Sequence, residues 1–476
     1  MKKTMAFLLS LALLLGLCCF SPAFAEDAEE NGDEYEEVFA DWNPEAPALN
    51  VLIDYVEAVT DETSPDFIPV EDRLAIFDMD GTLYGELFPT YLEYYMLAWR
   101  ILEDPDLVPD AEMLALGREL RESVLSHSFA GDMPLRHAIQ AARAYSGLSL
   151  QGFADFVNGV LVRDVDGFEG MSYATAFYTP MLEVIEYLQD NDFKVFVCSG
   201  SDRFICRVLL EGMIDIPYEN IIGMDVGFEA TGQGDTDGLD YVFQAGDDVV
   251  RTDRLIIKNL KMNKVLQIVQ DIGRKPVLSF GNSSGDVSMH RYTLSDNPYR
   301  SAAFMLIAND EARDYGNAEK AEKLGEQWEA DGFYVISMRD DFRTIYGDGV
   351  VKTGFFRWAD ELAEDRVPFE GASALYSFHD LSSAAALVER QIGSWEGCEL
   401  HSLRYAGDAS CSAENLTWLS SLREGASYTQ CLEFVSDFHS PVEGGGAWEA
   451  DAEYTDWQWW LARTEGGAWE LLTWGY

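Results

Sequence analysis

The sequence predicts an α/β protein with a Rossmann-like parallel sheet, a helical cap, and a small α+β domain at the carboxyl end. Short apolar runs of strand length alternate with amphipathic helical segments over residues 46–365. An all-helical stretch, at about residues 85–179, interrupts this alternation after the first strand. Over residues 372–476 the pattern changes to strand-like runs rich in tryptophan. Strands that alternate with helices form parallel sheets covered on both faces, and the all-helical stretch would form the cap.

The first 45 residues are predicted to be a signal peptide followed by a linker. Two lysines precede an apolar run from Met5 to Phe20, and small residues surround Phe24. This pattern is typical of a secretory signal peptide covering residues 1–25, which predicts a secreted or periplasmic protein that is not integral to the membrane after cleavage. Residues 26–45 are mostly acidic and predict a disordered linker.

The acidic composition limits the partners that the protein can have. The formal net charge is −51. A surface this negative repels phosphate backbones, so nucleic acid is excluded as a partner.

The elements of the first domain follow from the period of the apolar residues. A helix is predicted at 48–59 and a buried strand at Leu74–Phe77. Cap helices are predicted at 87–102, 111–125, 135–145 and 150–161. The core then resumes with helices at 181–192, 264–273 and 319–332, and with strands at 193–199, 275–281, 302–309 and 332–338. The mixed stretch between residues 202 and 263 contains a candidate hairpin around 241–250.

The C-terminal stretch predicts one helix packed on a curved antiparallel sheet. The helix is expected at 382–393 and the strands at 399–407, 428–438, 457–464 and 468–476, the last two joined by a turn at 465–467. Alternation in this region fits a sheet with one buried face, and the tryptophan density also fits a ligand-binding surface. Five cysteines follow the leader, and a Cys398–Cys411 or a Cys411–Cys431 disulfide is one alternative to free thiols.

The first chemical motif is Asp78-Met79-Asp80-Gly81-Thr82, directly after the strand Leu74–Phe77. Asp78 and Asp80 are two residues apart and would share a face of an extended chain. Paired carboxylates repel unless a cation neutralises them or one is protonated. Mg²⁺ prefers oxygen ligands, one carboxylate can attack phosphorus, and the other can transfer the proton. A helix cap or a plain turn is the alternative for such a motif.

Three further motifs carry groups that could bind a phosphate, bind a metal or balance the charge of the aspartates. Ser199 and Gly200 end the strand at 193–199, where a hydroxyl and free backbone N–H groups form a phosphate cradle. Asn282 and Asp286 follow the strand at 275–281 and offer oxygen ligands for a metal. A lysine near the helix at 264–273 would balance the charge of the nucleophile, and the candidates are Lys258, Lys261 and Lys264.

Taken in order, these four motifs resemble those of the haloacid dehalogenase (HAD) superfamily, in the phosphoserine-phosphatase-like branch with a helical cap. The resemblance covers roughly residues 50–353. It implies a Mg²⁺-dependent phosphatase acting on a small phosphorylated metabolite through an aspartyl-phosphate. In it, Asp78 is the nucleophile, Asp80 the general acid and base, and Lys264 the lysine of the third motif, eighteen residues before Asn282. The implied metal ligands are Asp78, the main-chain carbonyl of Asp80, Asp286 and Asn282, and the implied phosphate-binding residues are Ser199, Gly200 and Thr82.

Two features of the resemblance refine the expected activity. Dehalogenases of the superfamily typically lack the second aspartate, so Asp80 implies phosphoryl chemistry. Asn282 departs from the pattern, because many relatives carry aspartate there. A weaker metal site follows from that change, and it motivates an alternative function: a catalytically weak scaffold in a secreted binding protein whose tryptophan-rich domain binds a ligand.

The substrate-recognising residues are expected in and near the cap. Glu86 is placed to face the substrate, as a glutamate does in phosphoserine phosphatases. Arg203 and Arg207 follow the second motif and would support the phosphate or form surface ion pairs. The aromatic side chains at the start of the cap either cage a quaternary ammonium, such as that of phosphocholine, or pack the cap's own core. These are Tyr84, Phe88, Tyr91, Tyr94, Tyr95 and Trp99.

Overall fold

The computed structural model describes residues 38–86, 90–126, 128–354, 366–444, 448–464 and 467–476. The predicted signal peptide and most of the predicted linker lie outside these residues. The linker prediction is wrong for residues 38–45, where Phe39 and Trp42 are buried. The Trp42 indole N–H donates to the Pro180 carbonyl at 2.7 Å, so the ordered domain begins before residue 46. No helix in the described ranges is long and apolar enough to cross a membrane.

The elements up to residue 352 follow the predicted alternation. In the first half of the chain they are α1 (Pro47–Thr60), β1 (Leu74–Phe77), α2 (Leu92–Leu102), α3 (Ala111–Ser126), α4 (Met133–Ala144), α5 (Leu150–Leu161), β2 (Phe168–Glu169), α6 (Thr179–Asp190), β3 (Lys194–Asp202), α7 (Arg203–Leu210) and β4 (Ile221–Ala230). They continue with β5 (Val249–Ile257), α8 (Met262–Gln267), β6 (Leu278–Gly281), α9 (Val287–Leu294), β7 (Ala302–Ile307), α10 (Ala318–Ala330), β8 (Tyr334–Ser337), α11 (Met338–Asp341) and β9 (Val351–Lys352).

A seven-stranded sheet organises this part of the molecule, with the order β5-β4-β3-β1-β6-β7-β8. Its strands run parallel except for β5, which is antiparallel to β4. The sheet is Rossmann-like, as predicted. From β1 the chain builds outward first through β3 and β4, and later in the other direction through β6, β7 and β8. Ligands of open α/β sheets bind at the carboxyl ends of the strands where the order reverses, so this topology marks the end of β1.

The burial of β1 explains why its sequence is apolar at every position. Leu74 and Ile76 pack into a cluster on one face of the sheet with Phe196 and Met289. Ala75 and Phe77 pack into the large core on the other face. A strand covered on both faces has no solvent side, so it shows no polar alternation.

The helices α2 to α5 form the cap between β1 and β3. The prediction of an all-helical stretch is confirmed for these four helices. One departure is β2, a two-residue strand that pairs with β9 in an antiparallel fashion. Two residues are too short to give a periodic signal in the sequence.

The prediction of a hairpin around 241–250 is wrong, because residues 231–248 form a loop. A different hairpin joins β4 and β5, in which Ala230 lies opposite Val249. The hairpin is fastened to the cap, since Gly147 N–H donates to the Arg251 carbonyl at 2.7 Å and Arg251 N–H donates to the Leu148 carbonyl at 2.9 Å.

The C-terminal part contains a five-stranded sheet in the order β10-β11-β12-β13-β14. The predicted helix and four strands are present. A second helix and a short edge strand, parallel to its neighbour, were not predicted. The predicted turn at 465–467 falls mainly outside the described residues. The elements are β10 (Phe369–Glu370), α12 (Phe378–Gly393), β11 (Glu399–Tyr405), α13 (Ala413–Ser421), β12 (Gln430–His439), β13 (Glu453–Arg463) and β14 (Glu470–Gly475).

The C-terminal sheet is joined to the cap. Val108 of the cap is buried in the same apolar cluster as the core of the C-terminal sheet. The Ser382 hydroxyl on α12 accepts from Val108 N–H at 3.0 Å and donates to the Val108 carbonyl at 2.9 Å. Phe369 N–H donates to the Pro109 carbonyl at 3.0 Å. The cap is therefore held by the hairpin at one place and by the C-terminal domain at another.

The side chains of the C-terminal part show whether its cysteines form disulfides and whether its tryptophans are buried. The five cysteines in the described ranges are all free, so neither predicted disulfide is present. Trp459 is fully buried and Trp469 nearly so, as a sheet with one buried face requires, whereas Trp474 is 41 % exposed.

Candidate active site

The four motifs meet at the carboxyl ends of β1, β3 and β6. Asp78 N–H donates to the Phe280 carbonyl at 2.9 Å, which keeps the end of β1 in register with β6. A cavity of about 90 Å³ opens there between the sheet and the cap. It is lined from the sheet side by Asp78, Asp80, Glu86, Gly200, Ser201, Lys258, Leu260, Lys264, Asn282, Ser283 and Asp286, and from the cap by Tyr91, Glu93, Tyr94 and Pro134.

Lys264 lies between two buried carboxylates. Its Nζ is 2.5 Å from Asp78 Oδ1 and 2.7 Å from Asp286 Oδ1. Burial disfavours the ammonium, but Asp286 and Asp78 outweigh it and raise the pKa of Lys264. Burial and the nearby Asp286 raise the pKa of Asp78, while Lys264 opposes them. Of the three candidate lysines, Lys264 is thus the one that neutralises the predicted nucleophile.

Asp80 is held by two serine hydroxyls from β3. Ser201 Oγ donates to Asp80 Oδ2 at 2.7 Å, and Ser199 Oγ donates to the same oxygen at 3.3 Å. Burial raises the pKa of Asp80, against the effect of the Ser201 hydrogen bond. A raised pKa favours the protonated form of this carboxyl group, which is the form that a general acid needs.

Ser201 is a site residue that the sequence analysis missed. The predicted strand stopped at Ser199, whereas β3 continues to Asp202. Alternate residues of a strand share a face, so Ser199 and Ser201 both reach Asp80. Ser199 is fully buried behind Asp80 and does not line the cavity, so Gly200 and Ser201 are the residues of this motif that do.

Two glycines are required by close approaches at the cavity. Gly81 has a φ of +79°, and a Cβ there would lie 1.9 Å from Asn282 Nδ2 and 2.5 Å from Glu86 Cδ. A Cβ at Gly200 would lie 2.6 Å from Leu260 Cδ2. A larger side chain at either position would displace cavity-lining groups.

Glu86 and Asn282 are in contact. Asn282 Nδ2 donates to Glu86 Oε1 at 2.8 Å. Burial and the charges of Asp80, Asp78 and Asp286 raise the pKa of Glu86 well above its ordinary value. Glu86 lines the cavity, and the expectation that it faces the substrate stays a prediction.

The residues present fit a magnesium ion. Asn282 Oδ1 is buried and has no hydrogen-bond partner among the residues described. Such an orphaned carbonyl oxygen needs a cation or a water beside it. Asp78 and Asp286 add carboxylate oxygens, so the donor set is of the hard-oxygen type that Mg²⁺ prefers. Within the described ranges no group of three or more His, Cys, Asp or Glu side chains is arranged to hold a metal. The predicted set contains two such side chains as direct ligands, alongside an amide and a main-chain oxygen.

Three predicted phosphate-supporting residues lie away from the cavity. The Thr82 hydroxyl is buried and outside the cavity lining. Arg203 forms ion pairs with Asp225 and Asp271, each at 2.8 Å, which is the alternative that the sequence left open. Arg207 donates from Nε to the Tyr218 carbonyl at 3.2 Å.

The cap contributes one charged and two aromatic side chains to the lining of the cavity. Glu93 Oε1 accepts from Lys258 Nζ at 2.5 Å, so a carboxylate of α2 is tied to the core. Burial raises the pKa of Glu93, against the effect of Lys258. His137 Nε2 lies 3.0 Å from the Glu93 main-chain oxygen, and burial lowers the pKa of His137 well below its ordinary value, so its ring is neutral.

The predicted aromatic cage is formed only in part. Tyr91 and Tyr94 line the cavity. Tyr84 is buried in the core and its hydroxyl donates to the Tyr173 carbonyl, while Tyr95 stacks on the Tyr173 ring at 4.9 Å. Trp99 packs on Phe156 with ring centroids 5.8 Å apart, and Phe88 lies outside the described residues.

Comparisons with known proteins give weak similarity. No protein-family model matches the sequence, and no curated protein matches it. Among solved structures, a phosphoserine phosphohydrolase-like protein from Francisella tularensis has 15 % identity, with 56 % of this chain and 94 % of that chain covered and a TM-score of 0.30. A cytosolic 5'-nucleotidase IIIB bound to cytidine has 10 % identity, with 62 % and 86 % covered and a TM-score of 0.37. A HAD family hydrolase from Salmonella enterica has 11 % identity, with 58 % and 72 % covered and a TM-score of 0.31. Similarity at this level assigns no activity, which must follow from the geometry of the site.

Proposed function

We propose that the protein is a Mg²⁺-dependent phosphatase that hydrolyses a small phosphomonoester through an aspartyl-phosphate on Asp78. One observation carries the proposal. Lys264 joins Asp78 and Asp286 at the ends of neighbouring strands, and Asp80 lies in the same cavity with a raised pKa. This arrangement matches the roles implied by the resemblance to the HAD superfamily. The apolar run ahead of residue 25 supports a secreted or periplasmic location for this activity.

The first half of the reaction uses both aspartates. An Asp78 carboxylate oxygen attacks the phosphorus, the bond from phosphorus to the leaving oxygen breaks, and Asp80 gives its proton to that oxygen. Lys264 and the Gly200 N–H group stabilise the charge on the phosphoryl oxygens. Mg²⁺, held by Asp78, Asp286, Asn282 and the Asp80 main-chain carbonyl, would supply further charge neutralisation.

The second half regenerates the enzyme. Asp80, now ionised, accepts a proton from a water molecule whose oxygen attacks the phosphorus. The bond between phosphorus and Asp78 breaks, which releases inorganic phosphate and restores the Asp78 carboxylate.

The assembled site favours this proposal over a ligand-binding scaffold. Asn282 motivated that alternative, but its amide oxygen is free to ligate a metal and its amide nitrogen is engaged by Glu86.

The test is hydrolysis of para-nitrophenyl phosphate with Mg²⁺, with EDTA, and by Asp78→Asn. We expect EDTA to abolish turnover and Asp78→Asn to lower kcat/KM on the order of a thousandfold or more, because the nucleophile is lost. Lys264 still pairs with Asp286 in this variant, so its unfolding midpoint should stay close to that of the parent. Asp190→Asn, at an exposed position of α6, is the matched control and should keep full activity. Equal turnover by Asp78→Asn and the parent would contradict the proposal.

A further inference from the structure

Asn259 is a buried polar residue that the proposed reaction does not use. It lies between β5 and α8, is fully buried, and does not line the cavity. Its Nδ2 donates to the Ser199 carbonyl at 2.8 Å. Its Oδ1 is buried and has no hydrogen-bond partner within the described ranges. A buried acceptor without a partner is destabilising, so packing alone does not account for this side chain.

The hydrogen bond from Asn259 acts on the peptide group that joins Ser199 to Gly200. In a trans peptide group the C=O and the N–H point in opposite directions. The bond to the Ser199 carbonyl therefore directs the Gly200 N–H away from Asn259, toward the side on which Gly200 lines the cavity. That N–H is the group that stabilises a phosphoryl oxygen in the proposed reaction.

The pairing of β3 with its neighbours does not hold this peptide group. β3 pairs with β1 and β4 through residues 194–198 and Asp202, and Gly200 lies in the irregularity between them. Glycine also rotates its backbone more freely than other residues. The peptide group after Gly200 is held separately, because the Ser201 N–H donates to Ser199 Oγ at 3.0 Å. The peptide group before Gly200 depends on Asn259.

The chain on each side of Asn259 is held by its own hydrogen bonds. The Lys258 carbonyl accepts from Asn263 Nδ2 at 2.8 Å. The Lys261 N–H donates to the Gly285 carbonyl at 3.0 Å. These contacts fix the position from which Asn259 donates.

We propose that Asn259 is a positioning residue for phosphate binding, which holds the peptide group between Ser199 and Gly200 so that the Gly200 N–H faces the phosphoryl group. The inference rests on the proposed phosphatase function. It adds a residue outside the cavity on which the affinity for phosphate depends.

Asn220 offers a matched control on the same strand. It is 2 % exposed, its Nδ2 donates to the Val195 carbonyl at 2.9 Å, and its Oδ1 also lacks a partner among the residues described. Val195 lies in the paired part of β3 and does not line the cavity. The two asparagines therefore make the same kind of bond to β3 and differ in the peptide group that they hold.

The experiment compares Asn259→Leu with Asn220→Leu in the full mature chain with Mg²⁺. It measures kcat/KM for para-nitrophenyl phosphate, the dissociation constant of inorganic phosphate, and the urea unfolding midpoint. In Asn259→Leu we expect kcat/KM to fall, and the dissociation constant to rise, by about tenfold to a hundredfold, because a hydrogen bond to a charged group is lost. Asn220→Leu should keep both values close to those of the parent, with a similar fall in the unfolding midpoint. Asn259→Ala and Asn220→Ala give the same comparison without the added apolar volume.

The outcomes separate this inference from the phosphatase proposal. Equal losses of phosphate affinity in the two members of a matched pair would overturn the inference, because the effect would then follow from stability alone. Unchanged phosphate affinity in the Asn259 variants would also overturn it, and Asp78-dependent turnover by the parent would leave the phosphatase proposal standing. If the parent neither binds inorganic phosphate nor hydrolyses the ester, both proposals fail.

Discussion

At the scale of single residues, the contact of Lys264 with Asp78 and Asp286 governs both chemistry and stability. Without the ammonium, two buried carboxylates would face each other. The pKa of Asp78, already raised, would rise further, and the pKa of Asp286, now lowered, would rise as well. A carboxyl group whose pKa is raised in the folded state stabilises the fold at low pH, and that stability is lost as the pH rises through the folded-state pKa. The loss caused by removing Lys264 should therefore grow with pH.

We accordingly expect Lys264→Met to lower the free energy of unfolding by about 3–5 kcal/mol at pH 8, because it breaks a buried pair, and by less at pH 5. Urea unfolding at the two pH values measures this difference. Lys261→Met is the matched control, since Lys261 is exposed at the start of the same helix and should change stability by under about 0.5 kcal/mol at either pH. If Lys264→Met lowered the free energy of unfolding equally at pH 5 and pH 8, stability would not depend on the ionisation of the two carboxyl groups as expected.

The residues that sequence could locate are those placed by strand ends. Asp78 and Asp80 follow β1, and Asn282 and Asp286 follow β6, so their shared edge of the sheet was predictable. The choice among Lys258, Lys261 and Lys264 needed the resemblance to a family, because only Lys264 lies within α8 and the sequence does not give the path of the segment that holds the other two. Ser201 and Glu93 were missed, since β3 runs beyond its apolar residues and Glu93 lies in a helix whose orientation the sequence does not give.

At the scale of elements, the hairpin of β4 and β5 places the cap over the sheet. Arg251 of β5 is buried and pairs with Asp202 at 2.5 Å, and its guanidinium lies 4.0 Å from the centroid of the Phe153 ring in α5. Asp202 also caps α7 by accepting from Phe204 N–H. One arginine therefore connects the hairpin, the cap and the end of the phosphate motif.

We predict that Arg251→Met lowers the free energy of unfolding by about 3–5 kcal/mol, because Asp202 would stay buried without its partner. Arg254→Met, three residues along the same strand and exposed, should cost under about 0.5 kcal/mol. Chemical denaturation of both variants measures the difference. A similar small cost for both would show that the buried pair does not hold the hairpin.

The hairpin also shows the limit of element prediction. Apolar runs identified β1, β3, β6, β7 and β8, and all of these strands except β8 are mostly buried. It misplaced the hairpin, because β5 is mostly half-exposed or exposed and its polar residues resemble a loop. The helix α13 was missed for a related reason, since Leu419 is its one fully buried residue.

At the scale of the whole molecule, the C-terminal domain and the cap share one buried joint at Val108 and Ser382. Ser382→Ala would leave the N–H and carbonyl groups of Val108 buried and unpaired. We expect the free energy of unfolding to fall by about 1–3 kcal/mol. Hydrogen exchange should become faster in α2 and α3 by a larger factor than in β1 and β6. Ser383→Ala is the control, because that hydroxyl donates within α12 to the His379 carbonyl, and it should leave exchange in the cap unchanged. Equal exchange in the two variants would argue against a joint at this point.

The second, β-rich sheet was predictable from the change in composition near residue 370, but its joint with the cap was not. Val108 lies in a loop between two cap helices, and a single apolar residue in a loop carries no signal about its partner.

The two attachments of the cap bear on which molecules can reach Asp78. The cap is anchored to the hairpin through Gly147 and Leu148 and to the C-terminal sheet through Val108, so opening it would break hydrogen bonds at both places. For the proposed phosphatase, phosphate groups displayed on folded proteins or polymers would stay outside, and only detached, compact molecules would enter. In the proposed phosphatase, the same architecture would act as a size filter before any chemistry takes place.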